Sequence, residues 1–533
     1  MEIIIMNRNV YLLVSMLFCF ALTCLGSQDL RGPNILFFYG DDWGKIAGCY
    51  KDDHYFGGIS SVAKTPAFDR LAKEGVRFDN AFFPVPQCTP CRASIATGSY
   101  FWRTGKTAFL NQKDGFKGYD AGTELPGFGP VLIRQGYYIG SSGKTMNKRW
   151  IKSRPIKGVV DRRYSLAIYK GKDEAERQKI RKNLEAGYRQ VIQNLLAKSK
   201  DKPFYFVFGP INTHRPWIRG SGKNLWGLDP DSLKGKMPAF LPDVPEVRED
   251  MADYLGEIMA LDLMLTCFME ELDRAGQLDN TVIIATGDNG PPGFTRGKTN
   301  MYDFGSAAPL LVRWPGVVLP GRVVDDFVNL MDLGPTFIDI AGGDIPESMD
   351  GRSILPVLQS KDNGQIDPAR DHVIFGRERH VHNARQGNLS YPSRAIRNKD
   401  FLYIQNYFPD RWPLGDPLGS ANEVDQRVLA KKGSETYTAF RDMDGSPTKS
   451  WIMSIRDDTQ YRKYWDWTFA KRPAEELYEI NKDPLQLNNL AGNSKYKEIK
   501  DGLRQKLQNV RSQTGDPRLT DVFEKPPFVN KGN

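Results

Sequence analysis

From Asn34 to Gly44 the chain reads NILFFYGDDWG, an unbroken apolar run cut short by a glycine and two acids. Such a run, without polar alternation, suits a parallel strand buried on both faces. Its abrupt acidic end is how a strand of that kind delivers side chains to a site beyond the carboxyl edge of a sheet. Two later stretches repeat the pattern. Phe204 to Phe208 leads into Asn212 and His214, and Val282 to Thr286 leads into Gly287, Asp288 and Asn289. Between them Leu255, Ile258, Leu261, Leu265, Phe268 and Leu272 recur at spacings of three and four until Gly276, the apolar stripe of a helix with its stop. Strands alternating with helices predict an α/β fold, a mostly parallel sheet between helices.

At 533 residues the chain exceeds a single compact core, and its 40% hydrophobic, 11% aromatic and 26% charged content is that of a globular protein. Two domains are expected. Residues 27–365 form the large α/β domain. Residues 366–533 follow the polar stretch Ser360 to Asp371 and form a smaller mixed one, with strands at Val373 to Phe375 and Phe401 to Asn406, a polar insert from about Asp410 to Ser450, and a helix from Lys495 to Val510. Residues 1–26 read as a secretory signal peptide: Arg8, the apolar run Val10 to Leu22, then small residues at Gly26 and Ser27. A secreted or periplasmic location is expected. Ala21 to Cys24 also loosely resembles a lipobox, so a lipid anchor at Cys24 stands beside that reading. No other run has the roughly 18 apolar residues that a transmembrane segment needs.

Beyond the signal only Cys49, Cys88, Cys91 and Cys267 remain, too few for a disulfide framework. The net charge of +9 suits an anionic partner, with a solvated basic surface as the plainer account. No basic run with interleaved aromatics tracks a nucleic acid, so that partner is discounted.

Cys88-Thr89-Pro90-Cys91-Arg92 continues to Thr97-Gly98. A bare C-x-x-C invites a zinc, redox or structural pair, but zinc needs further Cys or His ligands at metal spacing and a redox pair needs a thioredoxin-sized fold. The wider pattern C-x-P-x-R-x-x-x-x-T-G resembles the signature of type I sulfatases, of the alkaline-phosphatase-like superfamily. In these the first cysteine is oxidised to formylglycine (3-oxoalanine) by a formylglycine-generating or sulfatase-maturing enzyme. The resemblance extends over NILFFYGDDWG, over Thr65 to Phe78, and over GDNG at Gly287 to Gly290. It continues through RWPG at Arg313 to Gly316, Asp332 to Thr336, and ELYEINKDP at Glu476 to Pro484. Glu378-Arg379-His380, Arg394 to Pro417 and RPAEELYEI from Arg472 are closest to the heparan N-sulfatase-like branch. The family implies an alkaline-phosphatase-like catalytic domain followed by a smaller α+β domain with an antiparallel sheet that closes the substrate pocket.

The resemblance also implies roles. Asp41, Asp42, Asp288 and Asn289 are hard oxygen donors at two strand ends, and with residue 88 they suit Ca²⁺; for either pair alone, turns and caps are the plain alternative. Hydrated formylglycine at position 88 offers one hydroxyl to attack sulfur and another whose deprotonation later expels sulfate. Arg92 would steady it, Lys144 and Lys298 would bind sulfate oxygens, and His214 would protonate the leaving group or contact sulfate. One departure stands out. Many members have Gly-Lys-x-His, but here Gly143-Lys144-Thr145 leads to Met146, which cannot take a proton.

The expected activity is hydrolysis of sulfate groups from a sulfated glycan, with N-sulfoglucosamine of heparan-type chains as the alternative and Arg379, His380 and Arg394 as substrate-binding candidates. Phosphoester or phosphonate hydrolysis is the rival within the superfamily. Two-metal phosphatases generally need several histidines, and only His54 and His214 precede residue 372. A non-catalytic glycan-binding protein would account for the charge but not for an intact Cys88 motif.

Overall fold

The computed structural model describes residues 32–52, 56, 58–109, 125–144, 163–382, 384–417, 439–526 and 528–529. The signal segment, Cys24, His54 and Met146 lie outside them. The strands are β1 (Asn34–Gly40), β2 (Val76–Phe78), β3 (Ala81–Phe82), β4 (Tyr138–Gly143), β5 (Phe204–Gly209), β6 (Thr281–Gly287), β7 (Leu310–Arg313), β8 (Arg322–Val324), β9 (Val328–Asn329), β10 (His372–Arg377), β11 (Ser393–Asn398), β12 (Phe401–Asn406) and β13 (Glu475–Glu479). The helices used below are α1 (Pro66–Glu74), α2 (Cys88–Thr97), α3 (Phe128–Arg134), α4 (Glu174–Ser199), α5 (Pro245–Arg274), α6 (Leu333–Ile340) and α7 (Lys497–Gln513).

Seven strands form the main sheet in the order β4-β5-β1-β6-β7-β2-β8, parallel except that β7 runs against both its neighbours. β1 sits near the middle, buried at every residue. Its two faces feed two cores. Leu36 and Phe38 join the cluster built with α1, α4 and α5, while Ile35, Phe37 and Tyr39 join the one built with α2, α3 and α6. Each fully buried aromatic or aliphatic side chain contributes about 1.5–3 kcal/mol through apolar area removed from water. The helix stripe read from Leu255 to Leu272 is α5, which ends just before Gly276 at φ +64°, a conformation glycine adopts without steric cost.

Asp262 of α5 performs a structural task that its sequence position does not announce. Its two carboxylate oxygens accept from Ala67 N (3.1 Å) and Phe68 N (2.8 Å), satisfying free amides in the first turn of α1.

The second sheet is four-stranded and antiparallel, in the order β10-β11-β12-β13, beginning at His372. It packs on the short parallel pair β3-β9: Val373, Phe375, Ala395, Leu402, Ile404 and Tyr478 share a cluster with Phe82 and Phe327. On its other face Ile374, Ile396, Tyr403 and Leu477 meet α7 through Leu503 and Leu507, together with Val85, Phe101 and Trp102 around α2. β11 and β13 go unread in the sequence because their buried positions include Arg394, Arg397 and Glu476, which disguise the apolar alternation. The helix expected at Lys495 starts at Lys497, after a 3₁₀ turn over Ser494–Tyr496, and runs to Gln513.

Candidate active site

β1 and β6 are neighbours in parallel register with Gly40 opposite Gly287, so the residues following each strand emerge side by side. This brings Asp41 and Asp42 against Asp288 and Asn289. The crossing is tight: a Cβ on Gly287 would stand 1.9 Å from the Trp43 carbonyl oxygen, so only glycine fits there. Asp42 turns back at φ +61°, its amide donates to Asp288 Oδ1 (2.8 Å), and its carbonyl accepts from Tyr254 Oη (2.9 Å). Thr213 Oγ1 donates to the Asp41 carbonyl (2.5 Å).

Cys88 is the first residue of α2, after an extended Gln87. Its Sγ lies 3.4 Å from both Asp42 Oδ1 and Asn289 Oδ1. Burial, and then Asp288 and Asp41, hold its thiol well above the usual range, so the unmodified sulfur is a neutral group. Cys91 does not converge on the same point. Its Sγ meets Tyr39 Oη at 3.3 Å within the apolar core, whereas Cys88 groups with Asp41, Asp42 and Asp288, so the two cysteines do not act as a C-x-x-C pair, and neither is in a disulfide.

One turn along α2, the fully buried Arg92 reaches Asp288 Oδ2 (2.8 Å), Asp41 Oδ1 (3.3 Å) and the Lys144 carbonyl (2.8 Å), and its guanidinium lies 4.4 Å from the Tyr39 ring centre. Lys144, at the end of β4, places Nζ 2.6 Å from Asp41 Oδ1, and Lys298 places Nζ 2.9 Å from Asp42 Oδ2. Three carboxylates thus face three fixed cations. Burial acts to raise the Asp41 carboxyl, but Lys144, His214 and Arg92 outweigh it and hold it well below the ordinary value. Burial is likewise opposed at Lys298, chiefly by Asp42, and its ammonium stays charged.

One ligand atom from each of Asp41, Asp42, Cys88 and Asp288 lies within 4.8 Å of the others, all in buried residues. With the Asn289 amide, the donor set is hard oxygen plus whatever residue 88 carries. It contains no histidine, which fits Ca²⁺ better than zinc.

His214 sits half-buried beside this centre; Arg163 donates to its carbonyl (2.7 Å) and approaches its Nδ1 (3.1 Å). The three substrate-binding candidates part company. His380 is buried where Lys298, Asp444 and Asp42 all act on it; burial first, then Lys298, lowers its imidazole to about 4. Arg379 instead donates to the carbonyls of Asn388 and Phe528 and lies 5.2 Å from the Phe109 ring centre. Arg394 is fully buried between Asp516 and Glu378. Arg379 is thus tied to backbone carbonyls, while Arg394, whose donors are all taken by Asp516, Glu378 and the carbonyls of Arg377 and Ser393, braces the second sheet rather than lining a sugar subsite. A fully buried guanidinium with its donors committed has none to offer a ligand.

Sequence reasoning missed Asp444 and Arg163. Asp444, from the polar insert, places Oδ2 3.3 Å from Lys298 Nζ. No motif or spacing marks either residue.

Residues 33–343 match the family model described as Sulfatase, and residues 294–443 match the one described as N-sulphoglucosamine sulphohydrolase, C-terminal. The human N-sulphoglucosamine sulphohydrolase is 26% identical over 94% of each chain. An ulvan-active sulfatase of Formosa agariphila is 27% identical over 94% of this chain and 84% of its own. Among solved structures, one described as a complex with its substrate D-glucosamine-2-N,6-O-disulfate shares the fold with a TM-score of 0.59, 19% identity, and coverage of 91% of this chain and 99% of that one. The phosphonate monoester hydrolase of Agrobacterium radiobacter also shares the fold, with a TM-score of 0.56, 18% identity, and coverage of 91% and 97%. Among the described residues, no helix is long and apolar enough to cross a membrane.

Proposed function

Since the chain belongs to the sulfatase family, we propose that it removes sulfate groups from a sulfated carbohydrate, with Cys88 oxidised to formylglycine and Ca²⁺ held by Asp41, Asp42, Asp288 and Asn289. The observation that carries this reading is the convergence of those four residues on Cys88 with Arg92, Lys144 and Lys298 around them. Bound there, the calcium ion would act as a Lewis acid beside residue 88 and offset the charge that gathers on sulfate oxygens. The aldehyde at position 88 would supply, as its hydrate, the attacking oxygen that a buried neutral thiol does not.

The rest falls to side chains the fold holds in place. A sulfate monoester is an anion, and Lys144 and Lys298 offer it charged donors that are already ordered by Asp41 and Asp42. Arg92 points its guanidinium at Asp288 and Asp41, and so keeps the carboxylates oriented around residue 88. His214, held beside Arg163, is the imidazole that would give a proton to the departing oxygen or nitrogen. Burial of Asp41, Asp42, Asp288, Arg92 and Lys298 strengthens their interactions by lowering the local dielectric.

The match of residues 294–443 to the N-sulphoglucosamine sulphohydrolase C-terminal model favours a second reading, cleavage of the N-sulfate of glucosamine in heparan-type chains. The N-terminal segment supports export, with Cys24 as a lipid-anchor site in the alternative, and a maturing enzyme is the partner that conversion of Cys88 requires. Mass spectrometry of the peptide containing residue 88, together with sulfate release from N- and O-sulfated oligosaccharides, tests this. An unmodified Cys88 in active enzyme would refute the formylglycine assignment, and aryl sulfate turnover without any release from glycans would refute the substrate class.

A further inference from the structure

The loop that carries Asp444 is built to hold it still. Asp442 Oδ1 accepts the amides of His380 (2.9 Å) and Val381 (3.0 Å), and Asp442 Oδ2 takes Arg385 (2.9 Å). Lys449 Nζ donates to the carbonyls of Met443 (2.9 Å) and Phe440 (3.2 Å), and Ser446 ties the loop to Gly293 O (2.6 Å) while capping the helix Pro447–Ser454. Asp444 itself is buried. Its Oδ2 forms an ion pair with Lys298 at 3.3 Å but lies off the direction of a hydrogen bond, and it has no hydrogen-bond partner among the described residues. The Nδ1 of His380, also buried, is unpartnered too. A buried carboxylate oxygen held only by an off-axis ammonium keeps acceptor capacity that the described residues do not fill, and a rigid loop that maintains one points to a donor supplied from outside.

We propose that Asp444 is a specificity-determining residue whose carboxylate accepts a hydrogen bond from a neutral sugar hydroxyl on the carbon next to the sulfated one, so that the site selects units with a free hydroxyl there and rejects units carrying a second sulfate. The proposal rests on the sulfatase reading of this centre. Lys298 binds the sulfate being removed, and Asp444 touches Lys298. The substituent that meets Asp444 is therefore the close neighbour of that sulfate on the ring. An ionised carboxylate accepts hydrogen bonds and donates none, so a hydroxyl satisfies it. A second sulfate at that place would set like charges together inside a buried site, which is strongly unfavourable.

The test compares purified, matured enzyme with Asp444→Asn and Asp444→Ala on three matched sets. These are monosulfated methyl hexosides and glucosamine sulfates with a free vicinal hydroxyl, their vicinal deoxy counterparts and their vicinal disulfates; an aryl sulfate is the common reference. Wild-type kcat/KM should fall about 10- to 150-fold on removing the hydroxyl, the range of a hydrogen bond to a charged group, and further on sulfating it. Both variants should lose a larger factor on the hydroxyl substrate than on the deoxy one or the aryl sulfate, where any loss reports the hold of Asp444 on Lys298. Asp444→Asn, which removes the negative charge, should regain activity on the disulfate. Wild-type comparison across substrates needs no variant and stands even if one fails to fold. Equal turnover of hydroxyl, deoxy and disulfated units by the wild type would overturn the proposal while leaving the sulfatase reading intact, as would an equal loss on aryl sulfate, which would confine Asp444 to holding Lys298. Failure of the wild type to hydrolyse any sulfate ester would overturn both.

Discussion

Replacing Arg394 with alanine separates a sugar subsite from a structural brace. Its Nε and one terminal nitrogen grip Asp516 at 2.8 and 2.9 Å, and the same nitrogen reaches Glu378 Oε1 at 2.9 Å. The other terminal nitrogen donates to the carbonyls of Arg377 (3.2 Å) and Ser393 (3.1 Å), and the guanidinium lies 4.9 Å from the Phe101 ring centre. Removing one partner of a buried pair costs about 3–5 kcal/mol. Here Arg511 remains on Asp516 and Arg518 on Glu378, so neither carboxylate is abandoned and the low end, about 3 kcal/mol, is expected. With an unfolding entropy of about 2.1 cal/mol/K per residue over 533 residues, that lowers Tm by about 3 °C. Calorimetry gives the shift, and steady-state kinetics on an aryl sulfate and a sulfated oligosaccharide gives the function. KM should hold for both substrates below the transition. An unchanged Tm with KM raised only for the oligosaccharide would show that Arg394 contacts sugar rather than bracing the second sheet.

Cys88→Ala should abolish sulfate release while leaving Tm within about 1 °C, because the thiol contributes no core contact of consequence; residual turnover near the wild-type rate would exclude residue 88 as nucleophile. Chelation should lower activity and Tm together, since a bound cation stabilises the folded state by mass action. Calcium should restore both, and restoration by zinc alone would contradict an all-oxygen ligand shell. Burial raises the Asp262 carboxyl to about 7, against the Phe68 and Ala67 amides. Its stabilising proton is fully retained below the ordinary carboxylate value near 4 and is lost as pH rises through about 7, so stability falls across that window, by at most about 1.4 kcal/mol for each pH step of one. Asp262→Asn should flatten the denaturant midpoint against pH between 4 and 7; an unchanged slope would mean that Asp262 is ionised throughout.

What the chain declares locally is the chemistry. The apolar runs of β1, β5 and β6 are legible because a strand buried on both faces needs nothing but apolar side chains, and their polar endings mark the carboxyl edge where the site lies. The Cys88 motif is legible because Cys88 and Arg92 act together from one turn of α2, so their spacing is the spacing of the helix. The metal donors could be suspected as two separate pairs, but it is the parallel register of Gly40 with Gly287 that makes them one centre. Charged residues of the second domain had no such local signature. Arg379, His380 and Arg394 look alike in sequence, each a basic residue outside the Cys88 and GDNG motifs. Their fates depend on which acid or carbonyl the packed sheet sets beside them: Asp516 and Glu378 for Arg394, the carbonyls of Asn388 and Phe528 for Arg379, and Lys298 with Asp444 near His380. Asp444 comes to Lys298 across more than a hundred residues of chain, carried on a loop whose position is set by Asp442 and Lys449. Charge pairing between distant segments is decided by tertiary packing, because an ion pair needs proximity in space and no particular separation along the chain.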